Sequence, residues 1–212
     1  MIIAIVLGIV VYYFFFSRSA VVKRKLRSAN AKRIREFQND ELAKTVGEIK
    51  YVGRTLKAPL SGRKCVYYHI VVEESSGKNT RTLVDEEVAA DVVIKDGDQY
   101  AVIETSLVKS HIIPDENYSS GFLNDATRQM ENYLKSHGHE STGLLGFNKS
   151  IRYKEGILEE GELVAVAGKG KWKTSAELKI KIPASRVLII GRDENEPVYF
   201  SDDPDVADLN KT

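Results

Sequence analysis

Only one cysteine, Cys65, occurs in the 212 residues, and no charged side chain precedes Arg18. A single thiol excludes an intramolecular disulfide and agrees with a reducing compartment. Adding the four histidines gives five strong metal ligands, too few to hold two four-coordinate zinc ions. No G-x-S-x-G nucleophile elbow is present. Positive charge is scarce beyond the first segment. Eight of the 31 bases precede Glu36 and all 30 acids follow Arg35, which leaves 23 bases against 30 acids in the remainder. A part of that sign is unsuited to general binding of nucleic acid or of anionic lipid.

The chain opens on an apolar run, Met1 to Phe16, free of charge and proline. Arg18, Lys23, Arg24, Lys25, Arg27, Lys32, Arg33 and Arg35 follow without an intervening acid. An uncharged segment bordered on one side by dense positive charge reads as a transmembrane anchor with the basic side in the cytoplasm. Sixteen helical residues rise about 24 Å against a hydrocarbon core of about 30 Å. The span is therefore expected to continue through Ser17 to Val22, with Arg18 reaching back to the headgroups. A cleaved leader ending near Ser17 and Ser19 is disfavoured, because no base precedes the apolar core and many follow it. The expectation is a single-pass membrane protein with its N-terminus outside. It divides into an anchor (1–22), a basic juxtamembrane helix and linker (23–45), a β-rich domain (46–203) and an acidic disordered tail (204–212). The eight bases are expected at the membrane surface, as topological signal and as contacts for anionic lipid.

From Val46 onward the patterning is that of strands. Cys65 to Val72 is β-branched and aromatic on both faces and is expected at the centre of a sandwich or barrel. After the polar turn Glu73 to Asn79, Thr80 to Val84 returns as a hairpin. Ala90 to Ile94 and Tyr100 to Glu104 form a second hairpin, with Asp96-Gly97 as its turn. Further strands are expected at Leu107 to Ile113, Ile151 to Tyr153, Leu163 to Ala167, Leu178 to Ile182, Val187 to Ile190 and Val198 to Phe200. One helix is expected over Gly121 to Ser136, where Leu123, Ala126, Thr127, Met130 and Leu134 recur at helical spacing. Ser119 or Ser120 would cap it and Gly138 stop it. The expected fold class is mainly β (α+β): a transmembrane helix followed by a β-rich sandwich or barrel-like domain with one helix near 121–136.

Several of these pieces together resemble a known domain. They are Ala58-Pro59-Leu60-Ser61-Gly62 leading into Cys65-Val66-Tyr67-Tyr68, then Val92 to Ile103 around Asp96-Gly97, then Tyr153-Lys154-Glu155-Gly156-Ile157-Leu158 with Gly161-Glu162 and Val164 to Gly168. In this order they resemble the GIDE domain, also called BAM for "beside a membrane", over about Val46 to Asp203. That domain is found in mitochondrial RING-type E3 ubiquitin ligases and in prokaryotic membrane proteins. The resemblance implies a membrane-adjacent module that presents a surface to a protein partner. Its motif positions here are Pro59, Ser61, Cys65, Tyr67, Tyr68, Glu155, Gly161 and Gly168, expected to be structural. The ligases continue into a second transmembrane helix and a RING finger, and neither pattern follows the domain here. The expected role is a scaffold, with ligase activity only as the RING-less part of a split ubiquitin-like system.

Other chemical signals are weak. His137-Gly138-His139-Glu140 reads as a solvated loop. Gly168 to Thr174 (GKGKWKT) reads as a hairpin loop, since it lacks the second glycine of a phosphate loop and precedes a strand pattern. Cys65 reads as a packed thiol, and Tyr67, Tyr68 and Trp172 as packing aromatics. A hydrolase using Ser61, Cys65 or His69 has no motif behind it. No cofactor, metal ligand or catalytic residue is assigned, and no nucleic acid is expected as partner.

Overall fold

The structure, a computed structural model, describes residues 17–76, 79–120, 126–142 and 149–208. It is mainly β, as the alternation of the sequence requires. The strands, in chain order, are β1 (Glu41–Ile49), β2 (Leu56–Lys57), β3 (Lys64–Cys65), β4 (Tyr67–Ser76), β5 (Asn79–Ala89), β6 (Val93–Asp96), β7 (Gln99–Ile103), β8 (Val108–His111), β9 (Glu116–Ser120), β10 (Ser150–Leu158), β11 (Leu163–Thr174), β12 (Arg186–Gly191) and β13 (Val198–Ser201). Two helices, α1 (Arg18–Ser28) and α2 (Arg128–Ser136), accompany them. The described residues form two compact units. One comprises the residues up to Arg54, Asp91–Ile112 and Glu160 onward; the other comprises Thr55–Ala90 and Ile113–Glu159.

In the first unit the order β1-β6-β7-β12-β11 closes on itself through the β1–β11 pair, making a five-stranded barrel. One edge of the twelve-residue β11 pairs with β1, and its other edge pairs first with β13 and then with β12. Such length on two edges lets one strand complete the barrel and also carry β13 and β8 outside it. Alternation places Val46, Ala165 and Ala167 on the outer wall, where they form a core with Val22 and Leu26 of α1 and with Tyr199, Val206 and Ala207. The expected Asp96-Gly97 turn is present between β6 and β7, with Gly97 at φ 61°, where a side chain would be strained.

The second unit is an antiparallel sheet of order β5-β4-β10-β9. Tyr68, Ile70 and Val72 of β4 and Ile151, Tyr153 and Ile157 of β10 meet Met130, Tyr133 and Leu134 of α2. The Thr127 side chain accepts from the Met130 N–H and caps α2.

Several expectations are corrected. α1 stops at Ser28, its C-cap Ala29 is extended, and Ala31 already bridges to Lys44, so no helix continues through Arg35 and β1 begins at Glu41. Val22 is fully buried in the protein, which removes Arg18 to Val22 from any span. The apolar run Met1 to Phe16 lies outside the described residues. Among the described residues no helix is long and apolar enough to cross a membrane. Ser119 and Ser120 belong to β9 rather than to a cap, and Gly121 to Asp125, including Leu123, lie outside the described residues. The Leu178 to Ile182 alternation is not a strand; Leu178, Ile180 and Ile182 pack as a loop against Val93 and Val187. GKGKWKT is continuous β11 and not a loop. Cys65 to Val72 does not centre a sandwich: β4 is an interior strand of a four-stranded sheet, and only one face is uniformly buried. The acidic end folds back, with Asp203, Val206 and Ala207 buried, while residues 209–212 lie outside the described residues.

Candidate functional site

The basic segment faces the protein's own acids. Lys23 pairs with Asp203, Lys25 with Glu196, Lys32 with Glu41 and Arg33 with Asp96, while Arg27 stands 3.6 Å from Asp205. Arg18 donates from Nε to the Ser110 carbonyl at 2.9 Å. Arg24 is exposed, and Arg35 is exposed beside Glu36 at 4.0 Å. Burial alone would raise the Asp203 carboxyl, but the Lys23 ammonium, the Asp205 N–H and His111 outweigh it and hold it below the usual range. α1 is thus docked by an apolar stripe, Val22 and Leu26, flanked by ion pairs.

On the same barrel wall, a groove is lined by Arg33, Val46, Glu48, Asp96, Asp202 and Asp208 among others. Carboxylates outnumber bases along it, which disfavours phosphate or nucleic acid as an occupant. Lys44, next along that wall, is 1% exposed; burial pushes its ammonium below the usual range, with the charge of Asp208 opposing.

Two motif pieces flagged in the sequence meet in the second unit. The Glu155 side chain, 1% exposed on β10, accepts from the Leu60 N–H at 2.7 Å and the Ser61 N–H at 2.8 Å. One carboxylate thereby satisfies two donors of the Pro59-containing turn, whose own carbonyl at Pro59 accepts from Gln129 Nε2. Cys65 is fully buried beside this cluster, and burial, followed by the charges of Glu155 and Glu159, pushes its thiol up to about 11. Tyr68 is also buried; its hydroxyl is pushed up to about 12 by burial and by Glu86, which accepts from Tyr133 Oη at 2.8 Å. Tyr67 is 1% exposed. Gly161, at φ 96°, turns β10 into β11, and Gly168 lies where a Cβ would meet the Gly191 carbonyl at 2.7 Å.

The hydrolase residues are not assembled. Cys65 belongs to the core beneath α2, His69 points from the opposite face of β4, and Ser61 Oγ accepts from the Arg63 N–H at 3.3 Å. His69 instead meets two acids of β5 that sequence reasoning left unassigned. Its Nε2 is 2.7 Å from Asp85 Oδ1 and 3.8 Å from Glu87 Oε1. In the β4–β5 ladder His69 lies directly opposite Glu87, and Asp85 sits two residues along on the same face. The two histidines of the loop have separate contacts: the His137 ring lies tilted at 49° against Tyr133, centroids 4.5 Å apart, and His139 Nε2 contacts the Leu83 carbonyl at 3.1 Å. Trp172 donates from Nε1 to the Phe37 carbonyl at 2.9 Å and carries the Arg186 guanidinium 4.3 Å from its ring centre.

Comparison of the chain with protein-family models, with curated proteins and with solved structures found no match.

Proposed function

We propose that the protein is a membrane-held interaction module of the GIDE type, single-pass with its N-terminus outside and its β-rich part in the cytoplasm, working as a scaffold without catalytic machinery of its own. One observation carries this reading. Ser17, the residue directly after the apolar run, is the N-cap of α1, and α1 is docked by the buried Val22 and Leu26. In sequence, a segment suited to lipid is thus followed at once by the cap of a helix docked on the barrel. Inserted in a bilayer, it would confine the barrel to the layer beside it and raise its effective concentration toward membrane partners.

Docking also sets limits. A span would then end before Arg18; sixteen residues, if helical, rise about 24 Å, a mismatch that local thinning of a bilayer can meet at fractions of a kcal/mol per Å. Ion pairing of the basic run does not alter the expected orientation, because Lys and Arg govern topology during insertion and acids contribute little. Lipid contact falls to the exposed bases of the run, Arg18, Arg24, Arg27, Arg33 and Arg35, rather than to the half-buried Lys23, Lys25 and Lys32. One Cys and four His are too few for a RING, so any part in ubiquitin transfer would use a RING from outside these 212 residues.

The test is alkaline carbonate extraction of membranes from cells expressing the full chain or a chain lacking residues 1–16, with a reporter fused after Thr212. The full chain is expected in the pellet with its reporter on the cytoplasmic side, and the truncated chain in the supernatant. A full chain released by carbonate, or a reporter active only outside, overturns the reading.

A further inference from the structure

We infer that His69, Asp85 and Glu87 form a binding site for a divalent transition-metal ion of the zinc class. The site is independent of the membrane reading. The three donor atoms, His69 Nε2, Asp85 Oδ1 and Glu87 Oε1, lie within 4.8 Å of one another on one face of the β4–β5 ladder. An antiparallel pair fixes the spacing of directly opposed and diagonal side chains, so the donors converge without help from a mobile loop.

The separations suit the chemistry. Zinc takes imidazole nitrogen and carboxylate oxygen at about 2.0–2.2 Å, which sets neighbouring donors about 3.4 Å apart in a tetrahedron. His69 to Glu87, at 3.8 Å, closes slightly, and His69 to Asp85, at 2.7 Å, opens by nearly twice as much. Asp85 can supply that movement, because its side chain is 55% exposed whereas those of His69 and Glu87 are 16% and 19% exposed. Two inset ligands and one at the rim leave the fourth position to water. On the side of His69 away from Glu87, the ladder presents Gly156, which adds no side chain to the face.

Charge points the same way. Two carboxylates meet the one imidazole, and Lys154, opposite Val71 on this face, is engaged by Glu73 at 3.0 Å. A divalent cation held there places positive charge against both carboxylates. The metal takes the Nε2 lone pair, so the proton bridging Nε2 and Asp85 leaves for Nδ1 or for solvent. The imidazole donor selects against Mg²⁺ and Ca²⁺, which prefer oxygen throughout.

The experiment titrates Co²⁺ into the purified, untagged full chain in detergent at neutral pH, reads visible ligand-field absorption, and then adds Zn²⁺. Expected are one Co²⁺ per chain, bleaching of the band by Zn²⁺, and loss of the band in His69→Ala and in Glu87→Gln. In His139→Ala the band remains. Asp85→Asn, altered at the exposed rim, is expected to fold unchanged by circular dichroism and to weaken binding roughly tenfold or more. It carries the test should the inset variants misfold. No saturable band in the parent chain, a band that survives Asp85→Asn at unchanged affinity, or one that vanishes in His139→Ala overturns the site.

Discussion

At the scale of single residues, burial decides which polar groups matter. Glu155 is the clearest instance, because its carboxylate is the acceptor for two backbone donors of the Pro59 turn. Glu155→Ala leaves both N–H groups without it and is expected to cost about 2–4 kcal/mol, read as a lower urea midpoint at unchanged slope. Glu155→Gln is expected to cost less, since an amide still accepts one of the two bonds. Cys65 makes the companion case. With its thiol pushed up to about 11, it stays protonated at mildly alkaline pH and is expected to resist iodoacetamide until the second unit unfolds. The sequence marked Pro59, Ser61, Cys65 and Glu155 as parts of one pattern, yet nothing in their spacing said that they touch. For His69 the obstacle was geometric. Counting back from the Ser76–Asn79 pair would set His69 opposite Glu86, but a bulge between Val72 and Glu73 shifts the register by one and brings Glu87 there instead. A one-residue shift reverses which side chains share a face, and no periodicity announces it.

At the scale of elements, α1 is the part whose role the structure most changes. Its sequence reads as the end of a span running into a basic juxtamembrane helix, but it stops at Ser28 and its apolar face, Val22 and Leu26, packs on the barrel wall. Leu26→Ala is expected to cost about 3 kcal/mol of docking, seen as faster tryptic cleavage at the bases around Lys23. Docking also carries a pH dependence of definite sign. The Asp203 carboxyl is held below its ordinary value, so its contribution is present above the unfolded value of about 3.9 and is lost as pH falls through the folded one. Protection factors of the α1 amides, corrected for the intrinsic pH dependence of exchange, are expected to be steady from neutral pH to about 5 and to fall below about 4. In Asp203→Asn that acid-dependent step is expected to disappear, with weaker docking at neutral pH. Elements with local signals, such as the β6–β7 hairpin and the stop of α2 before Gly138, were legible in the sequence. Leu178 to Ile182 was not, because an alternating loop can bury its apolar positions against Val93 and Val187 as well as a strand can.

At the scale of the molecule, the mainly β class could be read from alternation, but the closure of the barrel could not. It depends on β1 finding β11 and on β7 lying parallel to β12, pairings between segments far apart in the chain that a two-residue period does not encode. Closure leaves its mark at Gly168, where β11 crosses close to β12. A Cβ there would stand 2.7 Å from the Gly191 carbonyl and 2.8 Å from Ile190 Cγ2, and the first is backbone that cannot turn aside. Gly168→Ala therefore forces the two strands apart and is expected to destabilise the barrel by about 1–3 kcal/mol. The chain's single tryptophan, Trp172, lies on β11 four residues on, bonded through its indole to Phe37, so its fluorescence reports this unit. Cys65 alkylation reports the other. The expected outcome is an earlier denaturant midpoint by Trp172 fluorescence in Gly168→Ala than in the parent chain. An unchanged fluorescence midpoint would mean that the β11–β12 contact has more room than the barrel geometry allows.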